Sequence, residues 1–201
     1  MYFTSYCLHI RIAIATFVMG LLLSFPSALE ASGMPVISAK SAVVMEASTR
    51  KVLYEKKSDE RRYPASTTKM MTLITVLEHG NLDEMVTTSA NAANVEGSTM
   101  WLAPGEQLRL RDLLYGVMLV SGNDAATVVA EHVAGSVDAF SRLMTEKARV
   151  IGATNTNFTN SSGLPDTNHY STAYDLALIA AYGYSHPDFQ TIISTRHKTI
   201  P

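Results

Sequence analysis

Two short polar clusters in an otherwise apolar setting have the residue types and spacing for nucleophilic chemistry. Ser66-Thr67-Thr68-Lys69 opens a helical stretch. Residues three apart share one helical face, which brings the serine hydroxyl within reach of the lysine amine. A hydroxyl attacks poorly until a base takes its proton, and lysine is a base only when neutral. Its amine must therefore be buried, or set beside another cation, to bring its pKa down from about 10.4. The start of a helix adds N–H groups and the positive end of a dipole where negative charge would develop. The second cluster, Ser121-Gly122-Asn123, falls at a break between two apolar helices, where polar groups face the interior. Each pattern has a duplicate in the chain. Ser48-Thr49-Arg50-Lys51 fits Ser-x-x-Lys in what reads as a hairpin turn, and Ser89-Ala90-Asn91 fits Ser-x-Asn in a polar stretch that reads as an ordinary turn. On pattern alone, Ser66 and Lys69 read first as a helix cap followed by a solvated lysine. Ser121 to Asn123 read equally well as a C-cap followed by an N-cap, with Asp124 supporting the next helix.

The elements that must position these residues follow from periodicity and punctuation. Ser41 to Met45 and Lys51 to Glu55 are apolar and β-branched around the polar stretch Glu46 to Arg50, which predicts a β-hairpin. Pro64 and Ser66 precede Met70, Met71, Leu73, Ile74 and Leu77 at helical spacing, and Gly80-Asn81 closes that helix. Asp83 to Gln107 reads as loop. Leu108 to Val120 and Asp124 to Val133 read as two helices. Ser136 caps another over Val137 to Ile151, ended by Gly152, and Ser171-Thr172-Ala173-Tyr174-Asp175 opens one running to about Tyr184. Two strands followed by little but helices leave a hairpin that is marginal by itself. The expectation is a sheet whose further strands lie beyond Pro201.

Composition narrows the function classes. With 201 residues, 47% apolar and 17% charged, the chain can bury one substantial core. Its 16 Lys+Arg against 18 Asp+Glu form no basic face, which argues against a nucleic-acid partner. None of the six histidines forms a His-x-x-x-His or Glu-paired pattern, so neither a metal site nor a cofactor is expected. Arg11, the apolar run Ile12 to Phe25, Pro26 and the small residues that follow have the layout of a secretory signal peptide. The run is shorter than the ~20 apolar residues of a spanning helix. The expected organisation is a signal peptide over 1–33, cleaved between Leu29 and Met34, and one domain over 34–201. Cys7, the only cysteine, precedes the apolar run, so no disulfide, thiolate metal site or lipid-modified mature N-terminus is expected.

Order and context join the two clusters. Pro-Ala-Ser-Thr-Thr-Lys-Met-Met-Thr is followed by Leu-Val-Ser-Gly-Asn-Asp-Ala-Ala, with Pro104-Gly105-Glu106, Asn160-Ser161-Ser162-Gly163-Leu164-Pro165-Asp166 and His169-Tyr170-Ser171-Thr172-Ala173 in support. From about Ala39 onward the sequence resembles the low-molecular-weight penicillin-binding proteins, serine D-alanyl-D-alanine carboxypeptidases that carry Ser-x-x-Lys, Ser-x-Asn and Lys-Thr-Gly motifs. The resemblance implies an α/β fold of the penicillin-binding transpeptidase and β-lactamase kind, an antiparallel sheet packed on helices with a helical subdomain. It further implies Ser66 as acylated nucleophile, Lys69 as its base, Ser121 as proton relay to the leaving D-alanine, and Asn123 as a substrate-binding orienter. Peptidoglycan stem peptides and β-lactam antibiotics would be the partners, and the cell envelope outside the cytoplasmic membrane the location. His169 is expected to be structural. Lys198-Thr199-Ile200 lacks the glycine of the third motif, so it is read as a mimic. The expectation is then a C-terminally incomplete domain, without the third motif, the later strands or an encoded membrane anchor, and not competent alone. Two alternatives stand beside this. A serine β-lactamase is disfavoured by glycine at 122 and by the lack of a Glu-x-x-x-Asn stretch, and a non-catalytic penicillin-binding module would bind β-lactams without turnover.

Overall fold

The hairpin forms as its alternation predicts. In the computed structural model, which describes residues 36–200, β1 (Ala42–Met45) pairs antiparallel with β2 (Val52–Lys56), with Val43 opposite Glu55 and Val44 opposite Tyr54. The expected signal peptide over 1–33 lies outside the described residues. In the connecting turn, the Glu46 carboxylate accepts the N–H groups of Ser48 at 3.1 Å and Thr49 at 2.6 Å. That turn accounts for the duplicate Ser48-x-x-Lys51 as backbone capping in an exposed bend.

The rest follows in the order 3₁₀ turn (Ala65–Thr68), α1 (Lys69–His79), β3 (Met85–Thr87), α2 (Ala90–Ala93), β4 (Gln107–Arg109), α3 (Leu110–Leu119), α4 (Asn123–Ala134), α5 (Val137–Ile151), α6 (Ala173–Gly183) and α7 (Pro187–Ser194). The residues from Ala39 onward cluster as one unit. Helix α1 is its axis. Met71, Leu73, Ile74 and Val76 are fully buried, and α3 to α7 all pack on it. Seven of the 11 residues of this helix are buried, Lys69, Thr72 and Thr75 among them, so it lies inside the bundle with only its C-terminal end reaching solvent. Its two buried threonines spend their hydroxyls on carbonyls, Thr75 on Met71 at 2.8 Å and Thr72 on Ser161 at 2.6 Å. Strand β1 rests on α6. Ser136 and Thr172 cap α5 and α6 through their side chains, and Gly152 ends α5 in the left-handed conformation at φ 99°.

Two expectations need correction. The stretch Asp83 to Gln107 is not all loop, because β3 pairs antiparallel with β4 and Ser89 caps α2 by accepting the Ala92 N–H. Each of these three-residue strands buries only one side chain, Val86 or Leu108, which is too little alternation to register as a strand. Helix α7, opened by Pro187 at its first turn, was also not anticipated; Phe189 and Ile192 are its only buried side chains. Among the described residues no helix is long and apolar enough to cross a membrane.

Candidate active site

Ser66 projects from the 3₁₀ turn that feeds α1. Pro64 sets the entry: its carbonyl accepts the Thr67 N–H at 3.2 Å and the Thr67 hydroxyl at 2.6 Å, while Ala65 takes a positive φ of 49° to start the turn. Ser66 itself caps nothing, so the helix-cap reading of this residue fails. Lys69, only 2% exposed, is not a solvated lysine either. Its Nζ donates to Asn123 Oδ1 and to the Ser162 carbonyl, both at 2.8 Å, and stands 3.5 Å from Ser66 Oγ. Neither strong partner carries charge. Burial therefore pushes the Lys69 pKa down to about 8. A neutral amine has two N–H groups and one lone pair. With both N–H groups taken by the two 2.8 Å acceptors, the lone pair is left for the Ser66 hydroxyl. From the other side, the Ser121 hydroxyl donates to Ser66 Oγ at 3.0 Å.

The Ser162 carbonyl is a member of the cluster that residue types could not announce, because it is backbone. The loop carrying it is shaped by Asn160, whose Oδ1 accepts the N–H groups of Ser162 at 3.2 Å, Gly163 at 2.7 Å and Leu164 at 3.1 Å. An asparagine followed three residues later by glycine is a turn signal that could have marked this loop. Gly163 has φ 91°, and a Cβ there would lie 1.9 Å from the Ala65 carbonyl oxygen. The loop thus presses backbone to backbone against the residue before Ser66. Gly163→Ala is expected to cost about 1–3 kcal/mol from the backbone conformation alone. It should also displace the Ser66 turn, measured as a lower thermal midpoint together with slower penicillin labelling.

His169 braces the same region. Its Nδ1 accepts the Thr159 N–H at 3.1 Å, which places the proton on Nε2, 2.8 Å from Thr68 Oγ1. Burial lowers its pKa, so the neutral ring is the favoured form. The imidazole links Thr68, next to Lys69, to the loop ahead of Ser162.

Asn123 is positioned by the segment before α3. Its side-chain amide donates to the Glu96 carbonyl and its N–H to the Ser98 carbonyl, both at 2.7 Å. That directs Oδ1 at Lys69. The neighbouring Asp124 is buried and accepts the N–H groups of Met100 at 3.0 Å, Leu102 at 3.1 Å and Ala125 at 2.8 Å. It supports its helix as expected, and it also clamps the loop that orients Asn123. Ser121 takes φ 60°, the kink that turns its hydroxyl toward Ser66. The structure thus brings Ser66, Lys69, Ser121 and Asn123 together. Lys198 goes elsewhere, 3.4 Å from Asp112 and 4.9 Å over the Tyr115 ring, both on α3.

This arrangement has relatives. The sequence profile described as D-alanyl-D-alanine carboxypeptidase matches residues 28–200. D-alanyl-D-alanine carboxypeptidase DacF of Bacillus subtilis is 44% identical over 147 residues, 71% of this chain and 38% of that protein. The crystal structure of the D-alanyl-D-alanine carboxypeptidase DacD from Francisella tularensis superposes with a TM-score of 0.79 at 37% identity, covering 85% of this chain and 43% of that one. Penicillin binding protein 5 from Haemophilus influenzae gives a TM-score of 0.73 at 38% identity, covering 79% of this chain and 49% of that one. This chain therefore spans less than half the length of each of these three. The likeness bears out the α/β fold expected from the motifs. By profile, sequence and structure alike, the chain belongs to the D-alanyl-D-alanine carboxypeptidase family.

Proposed function

We propose that the protein is a serine-type D-Ala-D-Ala carboxypeptidase that removes the terminal D-alanine of peptidoglycan stem peptides through an acyl-enzyme on Ser66. The observation that carries this reading is the buried, uncharged surrounding of Lys69, with its lone pair left for Ser66 Oγ at 3.5 Å. Neutral Lys69 takes the hydroxyl proton as Ser66 Oγ bonds to the carbonyl carbon of the penultimate D-alanine. The positive dipole end of the turn and α1, where Ser66 sits, favours the oxyanion that forms. When the tetrahedral adduct collapses, the peptide C–N bond breaks, and the leaving amine takes a proton from the Ser121 hydroxyl. That hydroxyl, 3.0 Å from Ser66 Oγ, recovers its proton from Lys69. Water then attacks the ester and frees Ser66. A β-lactam enters the same path but keeps its leaving group tethered, so the acyl-enzyme persists. Export to the cell envelope fits both this substrate and the signal-like N-terminus.

In a form carried to the length of its relatives, of which this chain spans less than half, incubation with penicillin followed by trypsin, which cuts after Arg62 and Lys69, is expected to place a stable adduct on the peptide Tyr63 to Lys69. Release of D-alanine from a D-Ala-D-Ala peptide is the companion measurement. An adduct on another peptide, or rapid penicillin hydrolysis with no lasting adduct, would overturn the reading.

A further inference from the structure

The Ser162 carbonyl accepts from Lys69 Nζ at 2.8 Å, and the Gly163 N–H donates to Asn160 Oδ1 at 2.7 Å. These two backbone groups are the ends of one peptide unit. A trans peptide is planar, with its C=O and its N–H pointing in opposite directions. Whatever fixes the Gly163 N–H therefore aims the Ser162 carbonyl.

The backbone does not hold that plane by itself, because Gly163, at φ 91°, has no Cβ to oppose rotation of the peptide before it. Asn160 supplies the restraint. Its Oδ1 takes the Ser162 and Leu164 N–H groups as well as that of Gly163, and its Nδ2 donates to the Leu164 carbonyl at 3.0 Å. An asparagine closing an ordinary turn takes one N–H, two residues on. Here both ends of the amide are committed, and the shortest of the three accepted bonds is the one that orients the peptide facing Lys69. The loop as a whole is anchored elsewhere. The Thr159 N–H donates to His169 Nδ1 at 3.1 Å, and the Ser161 carbonyl accepts the Thr72 hydroxyl of α1 at 2.6 Å. Those bonds fix where the loop lies and leave the direction of the Ser162 carbonyl to Asn160.

We propose that Asn160 is a positioning residue for acylation: by fixing the Ser162–Gly163 peptide it directs a carbonyl at Lys69 and so keeps the amine's lone pair on Ser66. Without that carbonyl the amine retains Asn123 Oδ1 as its one strong acceptor, and its second N–H turns to Ser66 Oγ, the nearest oxygen left to it. The lone pair then points away from the hydroxyl it must deprotonate. Donation from the Gly163 N–H also polarises the peptide, which strengthens the Ser162 carbonyl as an acceptor. This rests on the carboxypeptidase reading and adds to its site a residue that acts through another.

The test compares the parent protein with Asn160→Ala and Asn160→Asp, each in the form carried to the length of its relatives. Penicillin acylation of Ser66 is timed across pH per mole of folded protein, with thermal unfolding in parallel. Asn160→Ala is expected to lower the high-pH plateau by about 10²-fold, the effect of misplacing a catalytic group by about 1 Å. Asn160→Asp keeps an oxygen for the three N–H groups, so most of the plateau should return. Its carboxylate also brings a negative charge close to Lys69, which favours the ammonium, so the pH midpoint should move up from about 8. An asparagine that only stabilises the loop would lower the unfolding temperature and leave acylation by the folded protein unchanged. That result overturns the proposal, as does an Asp variant as slow as the Ala variant. Should Asn160→Ala not fold, the Asp variant decides alone, and a midpoint that stays in place overturns it. An acylated parent matched by both variants leaves the carboxypeptidase reading intact. A parent that penicillin does not acylate overturns that reading and this proposal together.

Discussion

Ser66→Ala is expected to abolish covalent capture of penicillin, whereas Ser48→Ala leaves it unchanged, although both serines stand three residues before a lysine. The difference lies in what surrounds each hydroxyl. Ser48 Oγ donates to the Glu46 carboxylate at 2.9 Å in an exposed turn, where the nearby negative charge opposes an attacking alkoxide and no neutral base is at hand. Ser66 Oγ has the buried Lys69 amine at 3.5 Å and the Ser121 hydroxyl at 3.0 Å. The alanine variant removes only the nucleophilic oxygen, and Ser66 caps no helix, so the fold should not suffer. The readout is fluorescent-penicillin labelling at equal protein, with thermal unfolding as the control. Labelling that survives in a folded Ser66→Ala protein would move the nucleophile elsewhere.

Lys69→Ala should slow acylation by about 10² to 10⁴, the usual contribution of a positioned general base. Lys69→Arg should not rescue it, because a guanidinium stays charged at any working pH and has no lone pair to offer. The pH profile provides a separate check. With the folded-state pKa lowered to about 8, the neutral fraction of Lys69 rises through that value, so acylation should climb with pH and level off above it. That step should vanish in the alanine variant. The linked effect on stability has a definite sign. The amine's pKa is about 8 when folded and 10.5 in its ordinary state, so between those values the unfolded chain binds more protons. Stability should therefore rise with pH across that window, and the cost of burying a charged amine is fully present below it. A flat acylation profile, or full activity in Lys69→Arg, would show that some other group takes the proton.

Much of the scaffold was legible from local pattern. The hairpin, α1 with its Gly80 stop, the break at Ser121 to Asn123, and α5 between Ser136 and Gly152 follow from side-chain periodicity, capping and chain breakers, all of which act over a few residues. The two clusters were legible as candidates for the same reason. Spacing alone brings Ser66 and Lys69 onto one face, and an interrupted apolar helix turns Ser121 and Asn123 inward. Local pattern could not see β3, β4 or α7, where one or two buried side chains per element leave too weak a period.

What the sequence by itself determined is therefore which residues could act and which short elements carry them. The tertiary structure decided which of them meet. Lys69 and Asn123 are 54 positions apart, Ser66 and Ser121 are 55, and Lys69 and the Ser162 carbonyl are 93. A lysine's pKa depends on how much water it loses and on which acceptors surround it, and both are set by the packing of α4 and the Asn160 loop around α1. The same packing separates Ser66 from its duplicate at Ser48, since only one of the two serines is brought against a buried amine. It also brings to Lys69 groups that carry no residue-type signal, the Ser162 carbonyl and the loop that Asn160 shapes around it. Their importance comes from position, and position in a folded chain is fixed by contacts that join distant segments.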